Sequence, residues 1–186
     1  MESIRSFIGI DLSAEVKSRF SDIQAEFKKS CELQSIKYVD PSIIHITLKF
    51  LGNITLSEVS TIAQNLKEIK FRPFEIQFKK LGVFPSKKRI RVIWIGIDNA
   101  DNLKYLYDLI SSKLPDKFGE DRLFKPHITL ARVKRFSPLE MSLLLRKVEQ
   151  LSEIDAGTFL VKAFQLKSST LTPKGALYET IEEVEL

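Results

Sequence analysis

Histidine occurs twice in the 186 residues, and each time it opens the same tetrapeptide: His45-Ile46-Thr47-Leu48 and His127-Ile128-Thr129-Leu130. An imidazole titrates near neutral pH and can give or take a proton. A threonine hydroxyl can donate a hydrogen bond to an anionic oxygen. On a strand, residues two apart share a face. His45 and Thr47 therefore project together, as do His127 and Thr129, while the aliphatic residues between them turn to the core. Two imidazoles and two hydroxyls meeting at one point suit a tetrahedral anion. The matching reaction is in-line displacement at phosphorus. One neutral imidazole takes a proton from water and the other, protonated, gives one to the leaving oxygen. The hydroxyls of Thr47 and Thr129 would bind the non-bridging oxygens, whose charge grows in the transition state. Either histidine taken singly would read as an ordinary strand residue. The repeat gives both their meaning.

Other chemistries find less support. A zinc site wants three or four ligands, and neither histidine has a carboxylate within two residues. No Gly-rich phosphate loop and no Gly-x-Ser-x-Gly elbow occurs, and the single Cys31 has no neighbouring histidine. The expectation is a reaction without metal or cofactor.

Around these motifs the apolar pattern lays out a scaffold. Ser6 to Leu12 reads as a strand, followed by a helix from the N-cap Ser13 to about Ser30 through Val16, Phe20, Ile23 and Phe27. Ile36 to Val39 is a short strand and Asp40-Pro41 a turn into the first His strand, which ends at Gly52-Asn53. Thr55 to Ile69 and Asn102 to Leu114 read as helices, flanking strands at Phe74 to Phe84 and Ile90 to Ile97. Lys125-Pro126 introduces the second His strand, and Ser137-Pro138 starts a helix to about Leu151. Strands Phe159 to Leu171 and Ala176 to Val184 close the chain around the Pro173-Lys174-Gly175 turn. Strand pairs mixed with helices predict an α+β fold: two pseudo-twofold-related lobes, each a mainly antiparallel sheet with helices outside, and an active-site cleft between them. Residues 1–186 are expected to form a single two-lobed domain.

Composition bounds the rest. Apolar residues at 44% and charged residues at 28% describe a globular protein rather than a disordered one. The apolar runs are too short to span a membrane, and Met1 to Arg5 does not begin a signal peptide. With one cysteine, a reduced cytoplasmic protein is expected, acting as a monomer. The net charge of +5 favours a polyanionic partner. Lys79, Lys80, Lys87, Lys88, Arg89 and Arg91 crowd one stretch, and the Lys87 to Arg89 tip could track phosphates. Lys49 shares strand parity with His45 and could either contact a phosphate backbone or stand solvated, whereas Arg132 could neutralise phosphate charge but has the opposite parity from His127 and would need a twist or a strand end to reach the cleft. Phe50, Phe84, Phe124 and Tyr178 are candidates to stack bases, although Phe50 and Phe124 are better placed in the core.

The paired motifs resemble those of the two-histidine (2H) phosphoesterases, most closely the RNA 2′,3′-cyclic phosphodiesterase and 2′-5′ RNA ligase-like branch. The resemblance rests on His45-Ile46-Thr47-Leu48-Lys49-Phe50-Leu51-Gly52 and Lys125-Pro126-His127-Ile128-Thr129-Leu130-Ala131-Arg132. It extends to the Phe7 strand, Gly82-Val83-Phe84-Pro85, Arg91-Val92-Ile93-Trp94-Ile95-Gly96, and Leu171 with Gly175 and Tyr178. It departs at Tyr38, where relatives often carry tryptophan. The resemblance implies opening of an RNA 2′,3′-cyclic phosphate to a 2′-phosphomonoester, with His45 protonating the 3′-oxygen and His127 activating water. A 5′-hydroxyl in place of water would make a 2′-5′ linkage at the same site. RNA ends carrying the cyclic phosphate are then the expected partner. The rival readings are a relative acting on small cyclic phosphates or nucleotides, and an RNA-binding module that retains the cleft without turnover.

Overall fold

The computed structural model describes residues 3–30, 33–118, 124–134, 137–173 and 175–186. Cys31 and Lys174, with Met1 and Glu2, lie outside them. In chain order the elements are β1 (Ser3–Asp11), α1 (Ala14–Ser30), β2 (Ile36–Tyr38), β3 (His45–Thr55), α2 (Leu56–Lys67), β4 (Phe74–Ser86) and β5 (Arg89–Asp98). There follow α3 (Asp101–Ser112), β6 (His127–Val133), α4 (Pro138–Gln150), β7 (Asp155–Val161), β8 (Ala163–Thr172) and β9 (Gly175–Glu185). The strands form two antiparallel sheets, one ordered β3-β1-β8-β9 and the other β2-β6-β5-β4-β7. Helices α2 and α3 pack on the first sheet, and α1 and α4 on the second. The fold is α+β with two repeated lobes, as the strand and helix pattern predicts.

Local chemistry explains where the helices start. Thr55 caps α2 and Ser137 caps α4, each accepting from the N3 amide while the N3 glutamate, Glu58 or Glu140, accepts from the cap amide. These reciprocal bonds satisfy donors that a helix end otherwise leaves open. Ser13 caps α1 through a 3.3 Å bond from the Val16 amide. The inward faces then bury Val16, Phe20 and Phe27 of α1, Val59, Ile62 and Leu66 of α2, and Leu103, Leu106 and Ile110 of α3. Among the described residues, no helix is long and apolar enough to cross a membrane.

One strand expected from the sequence divides. The run Phe159 to Leu171 is two strands, not one. Its first part, in β7, pairs with β4 and its second, in β8, pairs with β1, so the chain passes from one sheet to the other at Lys162. The Leu186 amide donates to the Lys162 carbonyl at this crossing (2.8 Å). Apolar periodicity identifies strands but not their partners, so such a crossing is invisible in it. Although each half of the chain carries one motif, neither sheet is built from one half alone. The β4-β5 hairpin joins the sheet of β6, and the β8-β9 hairpin joins the sheet of β1 and β3.

Candidate functional site

Each histidine begins a strand. Before β3, residues Pro41–Ile43 form a 3-10 turn capped by Asp40, whose carboxylate accepts from the Ser42 amide. That bond, the largest cause, holds the Asp40 carboxyl below the usual carboxylate range. In both motifs the imidazole folds back on the chain in the same way. His45 Nδ1 lies 2.8 Å from the Ile43 carbonyl, and His127 Nδ1 lies 2.7 Å from the Lys125 carbonyl. A carbonyl only accepts, so each Nδ1 must carry a proton and donate it. Nε2 is then the atom of each ring left to exchange protons.

Aromatic rings hold the imidazoles in place. Phe7 and Tyr178 pack on His45 with centroids at 4.9 and 5.0 Å. Phe84 and Trp94 pack on His127 at 5.0 and 6.4 Å. The indole lies flat over Gly82, where any Cβ would overlap it. Thr47 and Thr129 stand half-buried on the strand faces of their histidines, while Ile46, Leu48, Ile128 and Leu130 are buried behind them. The two strands that carry the motifs, β3 and β6, touch each other where the sheets meet.

Immediately after each threonine the strand bulges. Ile8 pairs with Lys49 and Gly9 with Thr47, which makes Leu48 an extra residue in β3. Ile93 pairs with Ala131 and Trp94 with Thr129, which makes Leu130 extra in β6. A bulge places two residues against one and resets the alternation beyond it. Leu48 and Lys49 are accordingly both buried, as are Leu130 and Ala131, while Phe50 and Arg132 emerge.

This reset corrects three expectations. Lys49 is 1% exposed, with Nζ donating to the Tyr107 hydroxyl at 3.4 Å, and does not reach toward a ligand. Phe50, expected in the core, is 69% exposed and rests on Phe7 with centroids 6.4 Å apart. Arg132 lies on the face of His127 and close enough to influence it. Of the other ring candidates, Phe84 and Tyr178 brace the imidazoles. Phe124 is half-buried and stacks on Tyr107 at 4.4 Å. Tyr38 packs edge-on against Phe27, with Lys28 Nζ 4.6 Å from its ring centre. The Lys87–Lys88 turn is exposed, and Lys87 pairs with Glu149 at 3.0 Å.

The electrostatics of the two histidines differ. Burial pushes both imidazoles below their ordinary value, and the carbonyls of Ile43 and Lys125 oppose that shift. Around His45 the Asp11 carboxylate acts upward, against Lys167 and Lys17. Asp11 is its cross-strand partner on β1. Around His127 the Arg132 guanidinium acts downward. Sequence reasoning missed the group that arranges this contrast. Lys167, buried, donates to Asp11 at 2.5 Å and to Thr180 at 3.2 Å. Gln165, also buried, accepts from the Asp11 amide at 3.0 Å and donates to Glu183 at 2.8 Å. The available signal was polar Gln165 and Lys167 alternating with apolar Phe164 and Leu166 in a strand too buried to be an edge. Among the described residues, no three His, Cys, Asp or Glu side chains cluster as a metal ion requires.

Comparison with known proteins identifies the family. The family description "LigT like Phosphoesterase" matches twice, over residues 10–94 and 95–178, so each match contains one histidine motif. A protein of Methanocaldococcus jannaschii named RNA 2′,3′-cyclic phosphodiesterase is 36% identical over 181 residues, covering 97% of this chain and 99% of its own. One of the same name from Archaeoglobus fulgidus is 34% identical over 183 residues, covering 98% and 100%. Among solved structures, TT0787 of Thermus thermophilus superposes with a TM-score of 0.78 at 27% identity, covering 98% of each chain. Escherichia coli LigT in apo form shares the fold, with a TM-score of 0.78 at 22% identity over 100% and 99% of the two chains. The doubled match, one copy for each locked imidazole, makes this chain a member of the LigT-like phosphoesterases.

Proposed function

We propose that the protein is an RNA 2′,3′-cyclic phosphodiesterase that opens the cyclic phosphate to a 2′-phosphomonoester without a metal. The observation that carries this reading is the duplicated arrangement of an Nδ1-locked imidazole beside a threonine hydroxyl on a bulged strand. In the proposed reaction the two Nε2 atoms flank one phosphoryl group. His127 takes a proton from water, the water oxygen bonds to phosphorus, and the bond from phosphorus to the 3′-oxygen breaks. His45 protonates that oxygen. Thr47 and Thr129 donate to the non-bridging oxygens. The names of the relatives from M. jannaschii and A. fulgidus support the substrate class.

The charges around the rings support this order of roles. Asp11 helps His45 keep a proton, as a general acid must, although Lys167 and Lys17 oppose it, and Arg132 helps His127 stay neutral, as a general base must. Because both imidazoles lie below the ordinary value of about 6.5, kcat/KM should trace a bell with both limbs on the acid side of that value. Arg132→Gln removes a positive charge, so the limb belonging to His127 should move up. Asp11→Asn removes a negative one, so the limb belonging to His45 should move down. A rate that rises steadily through neutral pH would count against the assignment.

The deciding assay uses an oligonucleotide ending in 2′,3′-cyclic phosphate, with a chelator present, and identifies the product isomer. A 2′-phosphate is the expected product. Turnover of small cyclic nucleotides only would favour the small-substrate reading, and binding without turnover the RNA-binding one. With a 5′-hydroxyl strand in place of water, the same displacement should yield a 2′-5′ linkage. Phe50, exposed beside Phe7 on the His45 side, is a platform for a base. Stacking contributes about 1–3 kcal/mol per base, so Phe50→Ala should raise KM for RNA by roughly tenfold while kcat changes little.

A further inference from the structure

Displacement at phosphorus leaves part of the charge around His127 without a task. A cavity of about 380 Å³ opens beside this histidine, lined by Lys79, Lys80, Lys104 and Lys125, with Asp98 as its lone carboxylate. The ion pairs made by these lysines are long and solvent-facing. Lys79 meets Asp155 at 3.9 Å, Lys80 meets Asp98 at 4.0 Å, and Lys104 meets the exposed Asp101 at 3.5 Å. Such pairs hold their partners weakly, so the ammonium groups are available to a stronger anion.

The backbone carries a second, independent signal. Lys80 has φ of 64°, in the left-handed region that favours glycine. It is the extra residue of a bulge in β4, since Lys79 pairs with Gly96 and Leu81 with Ile95. Bulges of this kind re-aim a side chain, and here the residue held in that conformation is one of the cavity lysines. Across from it, a Cβ at Gly96 would stand 2.9 Å from the Lys79 carbonyl, so the strands close up beneath the cavity floor. The Trp94 ring also lines the cavity. Four cations beside the imidazole suit a ligand rich in anionic oxygens.

We infer that this cavity receives the phosphodiester immediately 5′ of the reacting ribose, so that the protein selects a polynucleotide end over a mononucleotide. The inference rests on the cyclic phosphodiesterase reading of the site. Lysines bind backbone phosphate as point charges, release its counterions, and so make binding salt-dependent. A cyclic nucleotide with a free 5′-hydroxyl has no second phosphate and leaves this group of cations unengaged.

The test compares kcat/KM for four 2′,3′-cyclic substrates: a 5′-hydroxyl mononucleotide, its 5′-phosphorylated form, a dinucleotide and a longer oligonucleotide. The dinucleotide and oligonucleotide should exceed the 5′-hydroxyl mononucleotide by at least tenfold, with the gap narrowing between about 50 and 200 mM salt. In Lys80→Gly and in Lys80→Gly/Lys104→Ala the ratio should fall toward one. Lys80→Gly is chosen because glycine accepts the left-handed backbone, so a lost ratio cannot be blamed on misfolding. Equal turnover of dinucleotide and 5′-hydroxyl mononucleotide would overturn the inference. So would the full gain from a terminal 5′-phosphate alone, which would make the cavity a phosphomonoester site. Turnover of none of the four would instead sink the cyclic phosphodiesterase reading, and the inference with it.

Discussion

Replacing either His45 or His127 with alanine is expected to lower kcat/KM on a cyclic-phosphate RNA end by roughly 10²–10⁴-fold, the usual worth of a positioned acid or base. The two losses should not multiply. Residues that act as one unit are strongly non-additive, and each imidazole here is useful only while the other holds the opposite protonation state. The double variant should therefore sit close to the worse single one. Alanine also removes a ring that packs on Phe7 and Tyr178, or on Phe84 and Trp94. Thermal unfolding measured alongside the kinetics separates lost chemistry from lost packing. Glutamine variants supply a further control, because they fill much of the same space without a titrating nitrogen. A single variant that kept near-normal turnover while remaining folded would remove that histidine from the mechanism.

Thr47→Val and Thr129→Val should each lower kcat by roughly 10²–10³-fold, the cost of losing one donor to a developing oxyanion. Valine matches threonine in shape and is itself a strong strand former. The half-buried positions of both residues beside buried neighbours should therefore keep their backbone. KM should change far less than kcat, because the hydroxyls are asked to bind charge that appears only in the transition state. Serine at either position restores the donor and should recover most of the rate. A loss confined to KM, or no rescue by serine, would assign the hydroxyls to ground-state binding or to the fold.

How far the site was legible depended on what each residue answers to. The histidines and threonines were visible because their spacing is local: a period of two fixes a shared face over three residues. Beyond three residues the alternation failed, and it failed at the same place in both strands. Bulges at Leu48 and Leu130 exchanged the faces of the residues that follow, burying Lys49 and exposing Phe50 and Arg132. No propensity marks a bulge formed by leucine, since the extra residue is set by the partner strand's register. The starts of α1 and α4 were legible from the caps Ser13 and Ser137, and α2 and α3 from apolar periodicity, although α3 has no side-chain cap and begins one residue earlier than that pattern. Asp11, Gln165 and Lys167 were not legible as a group, because residues more than 150 positions apart become neighbours only when β8 lies beside β1.

That each sheet takes strands from both ends of the chain has a consequence for how such a molecule could arise or be taken apart. Cut between β5 and α3, neither fragment could finish a sheet, because each would lack a hairpin that only the other fragment carries. The pieces should stay unstructured alone and recover a fold only when mixed. An ancestral single-repeat chain would have met the same obstacle, and could have met it by trading hairpins with a second copy of itself. Fusion of those two copies would then have freed each histidine's surroundings to diverge, one toward Asp11 and the other toward Arg132.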